Sequence, residues 1–559
     1  MANNLRYDVA VQRLKYTGPM VEFGFERDRV IEFNHRHRAV LANYELELEA
    51  CAILNLSNRV NPKSNLGALR NRQVRQSVIV SAALSAISVG LHGRGSLNAV
   101  PKHLVTNEVK DNLKRANDRT AAQVMAEVLQ TTAETLPVGE EIIIESAITE
   151  GVRVKPGVEA GGNPTIAVGA VFGKPEHRAK YGLKLPQNVS LLSLGNDVID
   201  GTTKSVEGSH SSFTAMVVTE SGVKRHLPDT YVQRWMAGVH FEEFNPRETK
   251  LVEIAEIMAQ AHGYSSVDKL STFFLDRPRH SFAMDTLNKA GVATPFDKDG
   301  DLMPGIVLGL EGLNFPDSRT LSSMIGEIGG SAEWAVGVLP LVWRGGQAIG
   351  MLTSQSSLTR KDLAPEELWK ERFHFTEEEF MLIQDARFQR KPYFTIKDIL
   401  DDPMAGGISA FGAITDNFFI PYLQGVRAEP EGGRISVNIL VVNSIGMVDV
   451  WQMVFRCQNN LASTGALMRS PKTELENLTG AELEQAIGKM LNDQRTRERY
   501  LIFFNNEYYP ALIPIHDKMV LLQKAVQGLI ERNALTEHDR EIIQCTQRAA
   551  PDLFVNSEL

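Results

Sequence analysis

The chain has 559 residues, 43% hydrophobic, 23% charged and 7% aromatic, with a net charge of -9. This length exceeds one compact core and calls for two or more folding units, while the acidic balance argues against a nucleic-acid partner, which needs a basic face. The cysteines Cys51, Cys457 and Cys545 are far apart and form no C-x-x-C pair, so a reducing, cytoplasmic setting is expected rather than a disulfide framework or zinc ribbon.

Residues 1–8 lack the basic-then-apolar pattern of a signal peptide. Residues 39–56 carry Val40, Leu41, Tyr44, Leu46, Leu48 and Ile53 with few breakers, and predict a helix. The basic, polar stretch 57–76 reads as a loop. Residues 77–91 are apolar but shorter than a membrane span and interrupted by four serines and a glycine. They predict a buried helix, and no membrane partner is expected. A second helix is predicted over 118–136, with Asp118 at its N-cap.

From residue 141 the texture changes. Short apolar runs at 142–144, 165–171, 189–194 and 213–218, bounded by Gly, Asn and Ser, read as strands. Helical segments at 250–262 and 281–290 then alternate with strand-like ones at 271–275 and 305–310. The alternation predicts a layered α/β domain over 141–455, with a charged excursion at 358–391. Beyond Cys457 the pattern turns helical at 481–490 and 518–530, and Thr536 with Asp539 resembles a capping box.

The most informative segment is 191–208, LLSLGNDVIDGTTKSVEG. An apolar strand is expected to end at Gly195, with Asp197 and Asp200 following three residues apart and Thr202 beside the second. Hard divalent cations take oxygen ligands, so aspartates closely spaced at a strand end suit Mg²⁺ or Mn²⁺. The same residues can equally shape a turn and cap the next element.

Further residues bear on this choice. Asp197-Val198-Ile199-Asp200-Gly201-Thr202 resembles the D-P-(I/L)-(D/E)-G-T motif of the lithium-sensitive, metal-dependent phosphatases related to inositol monophosphatase. Asn117-Asp118, followed by Arg119-Thr120 and AAQVM, resembles the A-D-G-A-A helix start of one branch, the class II fructose-1,6-bisphosphatases. Ile142-Ile143-Ile144-Glu145 with Ile148-Thr149-Glu150 resembles that branch's I-V-I-G-E and I-D-E. Pro228-Asp229-Thr230-Tyr231 resembles P-D-x-Y, and Arg277-Pro278-Arg279-His280 resembles K-P-R-H. Asp299-Gly300-Asp301 resembles a D-G-D loop, and 328–333 (IGGSAE) resembles I-G-G-A-P-E. The motifs run in family order over residues 33–455, with long insertions. Val198 stands where the family has proline, Ala147 where it has a second acid, and Arg277 where it has lysine.

The resemblance implies a layered α/β/α/β/α sugar-phosphatase sandwich with added helices at both ends. It divides the chain into 1–116, a phosphatase core at 117–455, and a C-terminal extension at 456–559. It also implies that Asp118, Glu145, Asp197, Asp200 and Glu333 hold Mg²⁺ or Mn²⁺, with Thr202, Asp118 and Glu145 acting catalytically. Arg277 and Arg279 would grip a phosphate, and Tyr231, Asp299 and Asp301 would recognise sugar hydroxyls. A homo-oligomer, dimer or tetramer, is implied as well. The activity so implied is hydrolysis of a sugar phosphomonoester, fructose 1,6-bisphosphate first, with sedoheptulose 1,7-bisphosphate or another sugar phosphate behind it. A catalytically silent sugar-phosphate-binding regulator is the alternative from another class.

Overall fold

The computed structural model describes residues 46–57, 72–100, 102–151, 164–181, 186–220, 231–246, 248–310, 321–352, 393–399, 406–417, 423–429 and 434–457, with isolated residues 69, 420, 482 and 485. The expectations for 358–391, 518–530 and 536–539, and nearly all of 481–490, lie outside these.

In chain order the first elements are strand β1 (Leu46–Ser57) and helices α1 (Arg72–His92) and α2 (Asn107–Thr135). There follow β2 (Ile142–Thr149), β3 (Val171–Gly173), α3 (Pro175–Arg178), β4 (Ser190–Asp200), α4 (Thr202–Glu207), β5 (Phe213–Glu220) and β6 (Tyr231–Ala237). Next come α5 (Leu251–Ala261), β7 (Phe274–Leu275), α6 (Ser281–Lys289), β8 (Phe296–Asp297), α7 (Leu302–Gly309), β9 (Ser323–Gly330), α8 (Ser331–Trp343) and β10 (Gln347–Leu352). The described part closes with β11 (Phe394–Thr395), α9 (Ile396–Ile399), β12 (Gly407–Ala413), β13 (Arg427–Glu429), β14 (Arg434–Asn443) and β15 (Val448–Cys457).

Nine strands form one sheet in the order β1-β15-β14-β12-β5-β4-β2-β3, with β13 paired to β14. Its pairs are antiparallel except β2 with β4, which run parallel. The period-two alternation of its strands feeds two separate cores. On β5, Met216 and Val218 join the cluster built on α1 and α2, while Phe213, Ala215 and Val217 face α7 and α8. On β15 the same split puts Trp451, Met453 and Phe455 on one face and Val448 and Val450 on the other. A second sheet, β11-β10-β6-β9, covers the far side of α7 and α8. Its own outer face, with Trp235, Ile325 and Ile349, packs under α5 and α6. The layers are therefore α/β/α/β/α, the architecture that the family resemblance implied.

Local agreement is uneven. Residues 46–56, expected in a helix, lie in the edge strand β1, bulged between Leu48 and Ala50, and the bulge breaks the alternation that marks a strand. Helix α2 begins at Asn107, capped by Thr106, whose side chain accepts from the Val109 N–H, so Asp118 lies mid-helix and is not a cap. Only the last residue of 165–171 is in a strand. β4 continues past Gly195 to Asp200. The 305–310 segment belongs to α7. An apolar run without alternation is ambiguous between buried strand and buried helix, and Pro304 in its first turn favours the helix.

Helix α1 is long and apolar enough to cross a membrane, yet it is buried inside the fold along nearly all of its length from Val74 to Gly90. Its approach to the sheet is close: a Cβ on Gly412, which is paired with Thr214, would overlap the Ala82 carbonyl. The Thr214 hydroxyl donates to that carbonyl at 3.1 Å. β1 and α1, both ahead of residue 117, thus belong to the same sheet and core as the segments after it.

Candidate active site

The site forms where β4 leaves the large sheet. Asp197 pairs with Ala215 and Asp200 with Phe213, so β4 bulges between the two aspartates. Residues three apart on a regular strand face opposite sides, and the extra residue brings Asp200 within electrostatic reach of Asp197. Gly201, at φ 73°, turns the chain into α4. The Thr202 hydroxyl then lies 3.2 Å from Asp118 Oδ1 and 3.0 Å from the Ile199 carbonyl, its single proton shared between them. Asp118 reaches the site from mid-α2. Its neighbour Asn117 ties α2 to α4 by donating to Ser205 Oγ at 2.9 Å and to the Gly93 carbonyl at 3.3 Å.

The second lobe brings the remaining groups. Gly330 leads into α8, and a Cβ there would overlap the Glu333 carboxylate, which folds back over the glycine. Gly300, at φ 78°, lies against Asp200: its Cβ would stand 3.1 Å from Asp200 Oδ2. The loop is docked from both ends. Asp299 Oδ2 accepts from the Thr203 N–H at 2.9 Å, and buried Lys204 donates to Asp297 at 2.7 Å. Asp301 pairs with the buried Arg234. Arg279 donates through Nε and Nη2 to the Ile328 carbonyl and lies over the Tyr231 ring, 5.3 Å from its centroid. Arg277 stands at the rim, 3.7 Å from Asp299. Residues 228–230 lie outside the described part.

Burial first, then Glu150, Asp200, Glu333 and Asp118, push the Asp197 carboxyl well above the ordinary range. Asp200 is raised by burial, Asp301 and Asp299, against the opposing effect of Lys204 and a Leu302 N–H. Asp200 Oδ2 is buried and has no hydrogen-bond partner among the described residues. The donors are all oxygens, the class that Mg²⁺ and Mn²⁺ take, and their mutual repulsion is what a cation would relieve. As the side chains stand, no three or more His, Cys, Asp or Glu among the described residues are gathered tightly enough to hold an ion. The acids share one neighbourhood without forming a closed cage.

Asp118, Asp197, Asp200, Thr202, Asp299, Asp301 and Glu333 are thus brought together, with Tyr231, Arg279 and Arg277 on the second-lobe side. Glu145 is not among them. Its carboxylate takes a hydrogen bond from Tyr181, whose hydroxyl pKa is pushed up by burial and by that carboxylate. Glu145 is paired with Ser193, four residues before Asp197 on the parallel strand, about 13 Å along it. Thr149 is paired with Asn196, so Glu150 comes level with Asp197.

Sequence reasoning gave no role to Arg234, Glu327, His280 or Glu150, the last two of which it met only inside motifs. Arg234 and Glu327 sit in β6 and β9, two strands the sequence reading did not pick out, and a charge inside an apolar run was their only signal. His280 donates from Nδ1 to the Leu275 carbonyl at 2.6 Å and accepts at Nε2 from the Ile328 N–H at 3.0 Å. That fixes a neutral ring, and burial lowers its pKa to about 3. Glu327, 3.7 Å from Nε2, is therefore a neighbour and not an ion-pair partner.

Residues 177–448 match the family model described as bacterial fructose-1,6-bisphosphatase, glpX-encoded. The match holds Asp197, Asp200, Thr202, Tyr231, Arg277, Arg279, Asp299, Asp301 and Glu333, and begins after Asp118 and Glu145. The chain is 25% identical over 207 residues to a D-fructose 1,6-bisphosphatase class 2/sedoheptulose 1,7-bisphosphatase of Synechococcus sp. (strain JA-3-3Ab), covering 35% of this chain and 54% of that protein. A protein of the same description from Trichodesmium erythraeum (strain IMS101) is 24% identical over 179 residues, 31% of this chain and 48% of its own. The chain therefore spans about half the length of the curated relatives it matches, and its likeness to the glpX-type bacterial fructose-1,6-bisphosphatases runs through the segment that builds most of the acidic site.

Proposed function

We propose that the chain is a phosphoric monoester hydrolase acting on a sugar bisphosphate, with fructose 1,6-bisphosphate the first substrate and sedoheptulose 1,7-bisphosphate the second. The observation that carries this reading is the meeting of Asp118, Asp197, Asp200, Thr202 and Glu333 at one place, with Arg277, Arg279 and Tyr231 on the lobe beside them. The family match through most of that site supports it.

Asp118, Asp197, Asp200 and Glu333, with Glu150 beside them, would hold Mg²⁺ or Mn²⁺. When bound, such an ion acts as a Lewis acid toward phosphoryl oxygen and lowers the pKa of water. The protein's own part is positioning and charge, which dominate when the transition state is loose. Thr202, its proton directed to Asp118 or the Ile199 carbonyl, keeps lone pairs to orient the attacking water. Arg277 at the rim and the Nη1 of Arg279 bind the phosphate that is not transferred. Tyr231, Asp299 and Asp301 take the sugar hydroxyls. Self-association into a dimer or tetramer belongs to the same proposal, and light scattering measures it.

Phosphate release from a panel of sugar mono- and bisphosphates tests the reading. Among these compounds, release is expected to be fastest from one or two bisphosphates. Binding of fructose 1,6-bisphosphate with no release from any panel member would instead support the silent regulator.

A further inference from the structure

Arg234 is a guanidinium with 1% exposure, set in a strand beside Trp235 and Met236, which are equally buried. It is in register with Glu327 on β9 and pairs through Nε with Glu327 and through Nη2 with Asp301. The two carboxylates hold its pKa above the ordinary arginine value in spite of burial. Gly329 makes room for the bridge: a Cβ there would overlap both Arg234 Nη2 and Asp301 Oδ2. Burying such a charged triad gains little stability over apolar residues of similar size, so core stability alone does not account for it.

The location supplies the reason. Asp301 ends the loop whose Gly300 touches Asp200, and it is the largest charge acting on Asp200. One Asp301 oxygen is held by Arg234, and Oδ1 makes no hydrogen bond among the described residues. We infer that Arg234 is a positioning residue for sugar recognition, fixing Asp301 through one oxygen so that the other accepts from a substrate hydroxyl. This rests on the phosphatase reading above. Glu327 braces the far side of the guanidinium, and His280, pinned as a neutral ring, adds no competing cation.

The test compares kcat/KM for fructose 1,6-bisphosphate with that for p-nitrophenyl phosphate, which has no sugar hydroxyl. Arg234→Met alone strands two buried carboxylates and can unfold the chain, so R234M/E327Q and R234K of the full chain are the variants read. In R234M/E327Q the sugar bisphosphate is expected to fall about 10- to 100-fold, mainly through KM, the loss of a charge-assisted hydrogen bond. The p-nitrophenyl phosphate value should stay within about threefold. R234K, which keeps the charge but not the fork, should lose less sugar selectivity than R234M/E327Q. Equal losses on both substrates, or no loss on the sugar, overturn the assignment. If wild type releases phosphate from neither compound, the phosphatase reading fails and calorimetric binding of fructose 6-phosphate decides Arg234. About tenfold weaker binding by R234M/E327Q supports it. Unchanged affinity, or no binding by wild type, overturns it.

Discussion

The Thr202 hydroxyl stands 3.2 Å from Asp118 Oδ1, joining residues 84 positions apart across the seam between α2 and the β4–α4 turn. This contact links Asp118, the first of the site acids in chain order, to the D-V-I-D-G-T turn. Thr202→Ala should lower kcat for phosphate release by about 100-fold, the size of effect seen on removing one positioned group, while urea unfolding changes by less than about 1 kcal/mol. Thr202→Ser should keep most of the rate. A T202A enzyme with wild-type kcat would remove Thr202 from the mechanism.

Asp197 and Asp200 give the protein a pH signature. A carboxyl whose folded pKa is raised keeps its proton in the folded state after the unfolded chain has lost it. Stability from these two groups therefore falls as pH rises from the ordinary value of 3.8 through the raised folded values. In EDTA, the D197N/D200N protein is expected to melt above wild type at neutral pH, the gap closing toward about pH 4. Mg²⁺ should raise the wild-type melting temperature and leave the variant unmoved. A gap independent of pH would contradict the electrostatic reading.

Glu145 and Glu150 separate geometry from motif. Glu145 takes its hydrogen bond from Tyr181, whereas Glu150 is the acid whose charge acts most strongly on Asp197, second only to burial. Glu145→Gln should keep phosphate release within about threefold of wild type, and Glu150→Gln should weaken Mn²⁺ affinity about tenfold or more. Manganese titration followed by electron paramagnetic resonance reads affinity apart from turnover. The reverse order of effects would restore Glu145 to the site.

His280 is held neutral between the Leu275 carbonyl and the Ile328 N–H. As pH falls from its ordinary 6.5 toward about 3, the unfolded chain takes up a proton that the folded one refuses, so wild type loses stability over that window. His280→Ala removes two buried hydrogen bonds and should cost about 2–4 kcal/mol at neutral pH. Its deficit against wild type should shrink as pH drops toward 3, as urea unfolding at a series of pH values measures. A constant deficit would mean that the ring is charged in the folded state.

A layered α/β domain was legible because β2, β4 and β5 are short apolar runs bounded by turn formers and α5 is apolar at helical spacing, whereas the order of the five layers came from the family resemblance. Asp197, Asp200 and Thr202 were legible from one continuous hexapeptide. What was hidden depended on tertiary pairing. β1 exists only because β15 covers its bulged edge, and α7 is apolar throughout, so periodicity cannot tell it from a strand. The early start of α2 rests on one Thr106 cap ahead of a polar turn. The choice between Glu145 and Glu150 is set by the parallel register of β2 on β4, a fact about two strands that no single segment carries. Arg234 was invisible for the same reason, since its partners Asp301 and Glu327 come from two other elements.

Phosphate release from fructose 1,6-bisphosphate by EDTA-treated wild type and D197N/D200N, each titrated with Mn²⁺, bears most directly on the central claim. Release should be absent in EDTA, rise to saturation with Mn²⁺ in wild type and stay absent in the variant. Release by wild type undiminished in EDTA, or by D197N/D200N at the wild-type level, would contradict a metal-dependent phosphatase built on these acids.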